Sequence, residues 1–130
     1  MKTSSLLAPS LFALTALLSC STGTESEEMI VQASPVFRVE VTQKSSNKIT
    51  FLAKAGWPNG CGRFSHFESS QVGADYQIKV FGKQPREALC TQAGIQFDAP
   101  VDLTIGQPGT YTFRFWQSDF ATLDTTIVFP

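Results

Sequence analysis

The chain has 130 residues and a formal charge of −1, with ten Lys and Arg against eleven Asp and Glu. That length holds one folded domain and leaves no room for a second. No run of basic residues occurs, which excludes an electrostatic footprint for nucleic acid or for an anionic lipid surface.

Residues 1–19 read as a secretion signal. Lys2 gives a positive start, and Leu6, Leu7, Leu11, Phe12, Ala13, Leu14, Ala16, Leu17 and Leu18 form an apolar stretch. Ser19 is the small residue before an expected cut. The stretch is shorter than the about 20 residues that a membrane-spanning helix needs. A short retained membrane helix is the competing reading.

Leu17-Leu18-Ser19-Cys20 resembles the lipobox of bacterial lipoproteins, with Leu18 a less usual choice at its position. The resemblance implies cleavage before Cys20, a diacylglyceryl group on its thiol and an acylated new amino terminus, so palmitate-type chains would hold the protein on a membrane. Ser21, where inner-membrane lipoproteins often carry Asp, implies export to an outer membrane in a cell that has one. The expected location is therefore the cell membrane or outer membrane, facing the periplasm or the exterior. The competing reading is an ordinary signal peptide cut near Cys20, leaving a free thiol. Residues 20–33 are expected to be the lipid attachment and a flexible tether, and residues 34–130 the folded domain. The polar run 21–28 supports this, with a reach of about 3.3 Å per residue.

With Cys20 lipidated, Cys61 and Cys90 remain as a pair in an oxidising compartment, where a disulfide is the default. The alternatives are a metal site or a redox pair. A metal site needs further ligands, and His66 is the only histidine. Redox pairs are usually spaced Cys-x-x-Cys.

The elements read as strands in chain order. Phe37, Val39 and Val41 alternate with polar residues, and Ser45-Ser46-Asn47 marks a turn. Ile49, Phe51 and Ala53 form the next inward set. Trp57-Pro58-Asn59-Gly60 reads as a tight turn. Phe64 and Phe67 fall on opposite faces of a regular strand, a conflict that a bulge near Gly62 would resolve. Tyr76, Ile78 and Val80 follow, ended by Gly82. A short strand is expected near Leu89 and Cys90. Ile95 and Phe97, then Val101, Leu103 and Ile105, lead to a turn over Gly106-Gln107-Pro108-Gly109. Tyr111, Phe113 and Phe115 make the clearest strand. Ser118-Asp119 turns into a last one, with Ile127 and Phe129 inward. No window holds helical periodicity over three turns. The expectation is an all-β, two-sheet sandwich of seven or eight antiparallel strands.

Leu103 to Tyr111 resembles the tyrosine corner of immunoglobulin-like and fibronectin-like domains, with Tyr111 as the corner residue. The cysteine spacing departs from the antibody pattern, so the likeness is to the sandwich architecture. Trp57 to Phe67, Cys90-Thr91 and Phe113-Arg114-Phe115-Trp116-Gln117-Ser118 resemble a group of small bacterial secreted lipoproteins. That likeness implies the sandwich and the disulfide and carries no activity.

Little in the chain points to catalysis. His66 is the only histidine, the side chain most often used as a general acid or base, and Ser65 beside it is expected to point to the other face. The carboxylates are dispersed. Asp98 and Asp102 flank Ala99-Pro100, but no calcium-loop pattern surrounds them. Nucleotide-binding glycine motifs are absent from the sequence. No enzyme, metal or cofactor is expected. Strand alternation turns Arg114 and Trp116 away from the core side, and Phe81 likewise opposes Ile78 and Val80. With Trp57 in a turn, these four residues form a candidate binding face for an envelope or extracellular protein or a glycan. The competing reading packs these aromatics at the sandwich rim. Two function classes follow: a lipid-anchored, non-catalytic binding or accessory module, or a protease inhibitor presenting a disulfide-pinned loop. The inhibitor would use the 57–62 turn or the 83–89 loop.

Overall fold

A computed structural model of the chain describes residues 28–130. The leader, Cys20 and most of the expected tether lie outside them. Among the described residues there are eight strands and no helix: β1 Met29–Ser34, β2 Val36–Lys44, β3 Lys48–Trp57, β4 Arg63–Val72, β5 Asp75–Pro85, β6 Ile95–Thr104, β7 Gly109–Ser118 and β8 Ala121–Phe129. β1 starts at Met29, so the domain boundary expected at residue 34 moves back into the run assigned to the tether. Ile30 and Ala33 pack inward enough to be half-buried, and all six residues of β1 pair with β5.

Two sheets face each other. The smaller is β2-β3-β6, antiparallel throughout. The larger is built around β5. One edge of β5 takes β4 along nearly its whole length. The other edge is shared. β7 pairs with Asp75–Ile78 and β1 pairs with Val80–Pro85. The β5–β7 ladder is parallel, the one departure among these ladders from the all-antiparallel expectation. β8 closes the sheet against β7.

The core follows from strict alternation. β3 and β6 bury every second residue over their length. Phe51 from the small sheet meets Phe113 and Phe115 of the large one edge-on, with centroids 4.9 and 5.3 Å apart. Such pairs add about 0.5–1.5 kcal/mol to what burial alone supplies. Tyr76 stacks on Phe113 at 5.2 Å. The corner forms as expected: the Tyr111 hydroxyl donates to the Gln107 carbonyl, 2.7 Å away, across the turn before β7.

Two bulges move side chains off their expected faces. A register shift between Val36 and Arg38 displaces Phe37, which is 53% exposed, and puts Val36 in the core instead. A shift between Phe64 and His66 lets Phe64 and Phe67 both lean on the core. The bulge therefore sits at Ser65, not near Gly62. No strand forms near Leu89, where the residues between β5 and β6 run as a loop. A two-residue turn joins β4 to β5, and Gly73 supplies its positive φ of 61°. That conformation suits a glycine at the first turn position.

Candidate functional site

The Cys61–Cys90 disulfide is present, with Cα atoms 5.4 Å apart. It joins the turn after β3 to the loop after β5. Around it the backbone is clamped: the Gly60 N–H donates to the Thr91 carbonyl at 3.0 Å, and the Cys61 N–H donates to Asn59 Oδ1 at 2.9 Å.

Trp57 belongs to this pole and not to an exposed face. It is the last residue of β3 and only 4% exposed. Its indole Nε1 donates to Gln84 Oε1 at 2.7 Å, an oxygen that also accepts from Asn59 Nδ2 at 2.7 Å. Gly62 and Gly82 flank the ring so closely that a Cβ on either would overlap it. The expected four-residue binding face therefore loses Trp57. The indole is a buried anchor because two glycines leave room for it and Gln84 satisfies its one polar atom.

The other three candidates share the outward face of the large sheet. β4 contributes His66, Glu68 and Ser70, directly opposite Phe81, Lys79 and Gln77 of β5. Gln77 lies beside Arg114 of β7, which lies opposite Asp124 of β8, while Trp116 lies opposite Thr122. Phe81 sits at one end, half-buried because the His66 ring stacks on it at 4.6 Å and nearly parallel. Arg114 and Trp116 sit together, both half-buried. The structure thus joins Arg114 to Trp116 and leaves Phe81 on the same face under a lid of imidazole.

Arg114 is held in place. Its Nη1 donates to Asp124 Oδ2 at 2.6 Å, and its Nη2 lies 3.8 Å from Asp75 Oδ2. Thr122 Oγ1 in turn donates to Asp124 Oδ1 at 2.6 Å. These exposed pairs contribute little stability individually, but together they fix the guanidinium. Lys79 lies over the Trp116 ring, its Nζ 5.4 Å from the centroid. An open concavity of about 650 Å³ spreads across this patch, with Trp116, Lys79, Arg114, Glu68 and Gln77 in its wall. The β7–β8 turn borders it, and there Phe120 is fully exposed. An indole with fixed polar groups around an open groove can stack on an apolar or sugar face while directing hydrogen bonds.

Lys79 and Phe120 were not among the sequence candidates. Lys79 was within reach of the β5 alternation, since it lies between the inward Ile78 and Val80. Phe120 follows the Ser118-Asp119 turn, where a phenylalanine has no strand face to fill.

The bulge at Ser65 overturns one further expectation. Ser65 Oγ lies 3.0 Å from His66 Nδ1, on the same side and not the opposite one. His66 Nε2 is 3.8 Å from Glu68 Oε1. This row stands on an open strand surface, whereas acyl transfer also needs donors fixed where the oxyanion forms. Asp98 and Asp102 have partners across the small sheet: Asp98 pairs with Lys54, and Asp102 accepts from Thr50 Oγ1 at 2.7 Å. Among the described residues, no three acidic, His or Cys side chains gather as a metal site would require.

Residues 51–123, from the middle of β3 into β8, match the family model of the ORF11 beta-sandwich domain. The matched span holds both disulfide cysteines, Tyr111 and the whole of β7. No curated protein and no solved structure shows significant similarity to the chain.

Proposed function

The chain belongs to the ORF11 beta-sandwich domain family, and for this member we propose a non-catalytic binding or accessory module of the bacterial cell envelope. In this reading Cys20 carries the lipid that holds it on a membrane, as the Leu-Leu-Ser-Cys pattern suggests. The groove on the outward face of the large sheet takes the partner, an envelope or extracellular protein or a glycan.

One observation carries the proposal. Trp116 remains half-exposed at the wall of the groove, flanked by Lys79 and by an Arg114 already fixed through Asp124 and Asp75. Binding costs less when its polar groups are ordered beforehand. Large aromatics and Arg are also the side chains that dominate interfaces.

Two measurements test it. Metabolic labelling with palmitate should tag the wild type and not Cys20→Ala, and a wild-type mature mass without a lipid adduct removes the anchor. Trp116→Ala should leave the melting temperature nearly unchanged and abolish capture of glycans or envelope proteins by the immobilised domain. Core aromatic truncations cost about 3–5 kcal/mol, so a destabilisation of that size would assign Trp116 to rim packing instead.

A further inference from the structure

A second surface lies at the disulfide pole, away from the groove. We propose that residues 86–91 form an inhibitory loop that seats Leu89 in the primary specificity pocket of an endopeptidase selective for large aliphatic side chains. Leu89 is fully exposed, the most exposed large hydrophobic side chain among the described residues. After a turn at Arg86-Glu87, exposure alternates over the four residues 88–91: Ala88 and Cys90 are half-buried, and Leu89 and Thr91 are exposed. That is the side-chain period of an extended segment, the backbone shape that a protease cleft accepts.

Both flanks of the loop are fixed. On the amino side the Arg86 N–H donates to the Glu28 carbonyl at 2.8 Å, and the Arg86 guanidinium pairs with the Glu28 carboxylate at 3.2 Å. On the carboxyl side Cys90 is cross-linked to Cys61, and the Thr91 carbonyl accepts from Gly60. A loop held at both ends has little freedom left to lose on docking. The Leu89 carbonyl oxygen lies 3.7 Å from Cys61 Sγ. A chain cut after Leu89 would stay joined through Cys61–Cys90, which keeps the new ends close and favours resealing over release. A lipid surface fits the same leucine less well, because exposed Arg86 and Glu87 precede it and interfacial anchoring takes a larger apolar face.

The test is inhibition by the full disulfide-bonded chain of chymotrypsin-like, elastase-like, subtilisin-like and trypsin-like serine endopeptidases. The wild type should inhibit at least one enzyme with an apolar primary pocket. Leu89→Asp should weaken that inhibition by roughly 30-fold or more, the scale of an interface hot spot. Leu89→Arg should transfer inhibition to the trypsin-like enzyme. Melting temperatures should match throughout, because the side chain touches nothing in the fold. Failure of the wild type to inhibit any of the four, undiminished inhibition by Leu89→Asp, or rapid cleavage after Leu89 would overturn the proposal. So would Leu89-dependent binding to phosphatidylglycerol vesicles.

Discussion

Ser34 shows how little a single polar atom can contribute where it is buried. It ends β1 at 1% exposure, and its hydroxyl has no hydrogen-bond partner among the described residues. Its hydroxyl lies close to Gly82, which the Trp57 indole also borders. A buried hydroxyl without a partner keeps its desolvation cost. Ser34→Ala should therefore be neutral or stabilising by up to about 1 kcal/mol, read as an unchanged or raised urea midpoint at constant slope. A lowered midpoint would reveal a bond that the hydroxyl makes to water or backbone. At this scale the sequence was informative wherever a residue follows the period of its strand. Arg114 and Trp116 lie where alternation from Tyr111 places them. Trp57 also falls on the buried period of β3, two residues after Ala55; reading Trp57-Pro58-Asn59-Gly60 as a turn ended that strand too early. Only the room left for the ring by Gly62 and Gly82, from two other parts of the chain, has no local signal.

The disulfide pole is the element where distant segments depend on each other most. β3 ends there, β4 starts there, and the loop after β5 returns to it. Cys90→Ala should destabilise the domain by about 2–4 kcal/mol, the range for a closed loop of this size. The loss should show in denaturant melts, with Cys61 becoming reactive to thiol reagents. An unchanged midpoint would mean that the Trp57–Gln84–Asn59 hydrogen bonds hold the pole without the cross-link. The bridge itself was legible from cysteine arithmetic. Of the two bulges, one was legible, and only as a conflict. Phe64 and Phe67 at odd spacing announced an extra residue in β4, but Ser65 took that place because the register against β5 decides it. Phe37 gave no warning, since Phe, Val and Val in alternation also describe a regular strand.

Across the whole molecule, the core ties stability to high pH through Tyr76. Burial raises its hydroxyl above the usual tyrosine range, and the neighbouring Tyr111 adds to the shift. The folded state therefore holds its proton to higher pH than the unfolded chain does. Stability from this group is complete below the unfolded value of about 10 and is lost as pH rises through the folded one. The melting temperature should stay flat with respect to Tyr76 up to about pH 10 and fall above it, and Tyr76→Phe should lessen that fall. An identical alkaline profile in the two proteins would assign the loss to other groups. The sandwich as a whole was readable because short alternating runs with turn residues between them leave few other architectures. The parallel β5–β7 ladder was not. It depends on which strands become neighbours after a long connection, and periodicity within each strand is silent on that.

The split edge of β5 also decides how the domain bears force. β1 runs antiparallel to β5, with Met29 opposite Pro85 and Ser34 opposite Val80. A pull on the chain ahead of Met29, resisted by a partner in the groove near Trp116, acts along the axis of β1. The rungs between the two strands lie perpendicular to that axis, so the six paired positions are strained together in shear and cannot open one after another like a zip. β1, short and at a sheet edge, is thus oriented as a mechanical clamp between whatever holds the chain at one end and whatever the groove holds at the other.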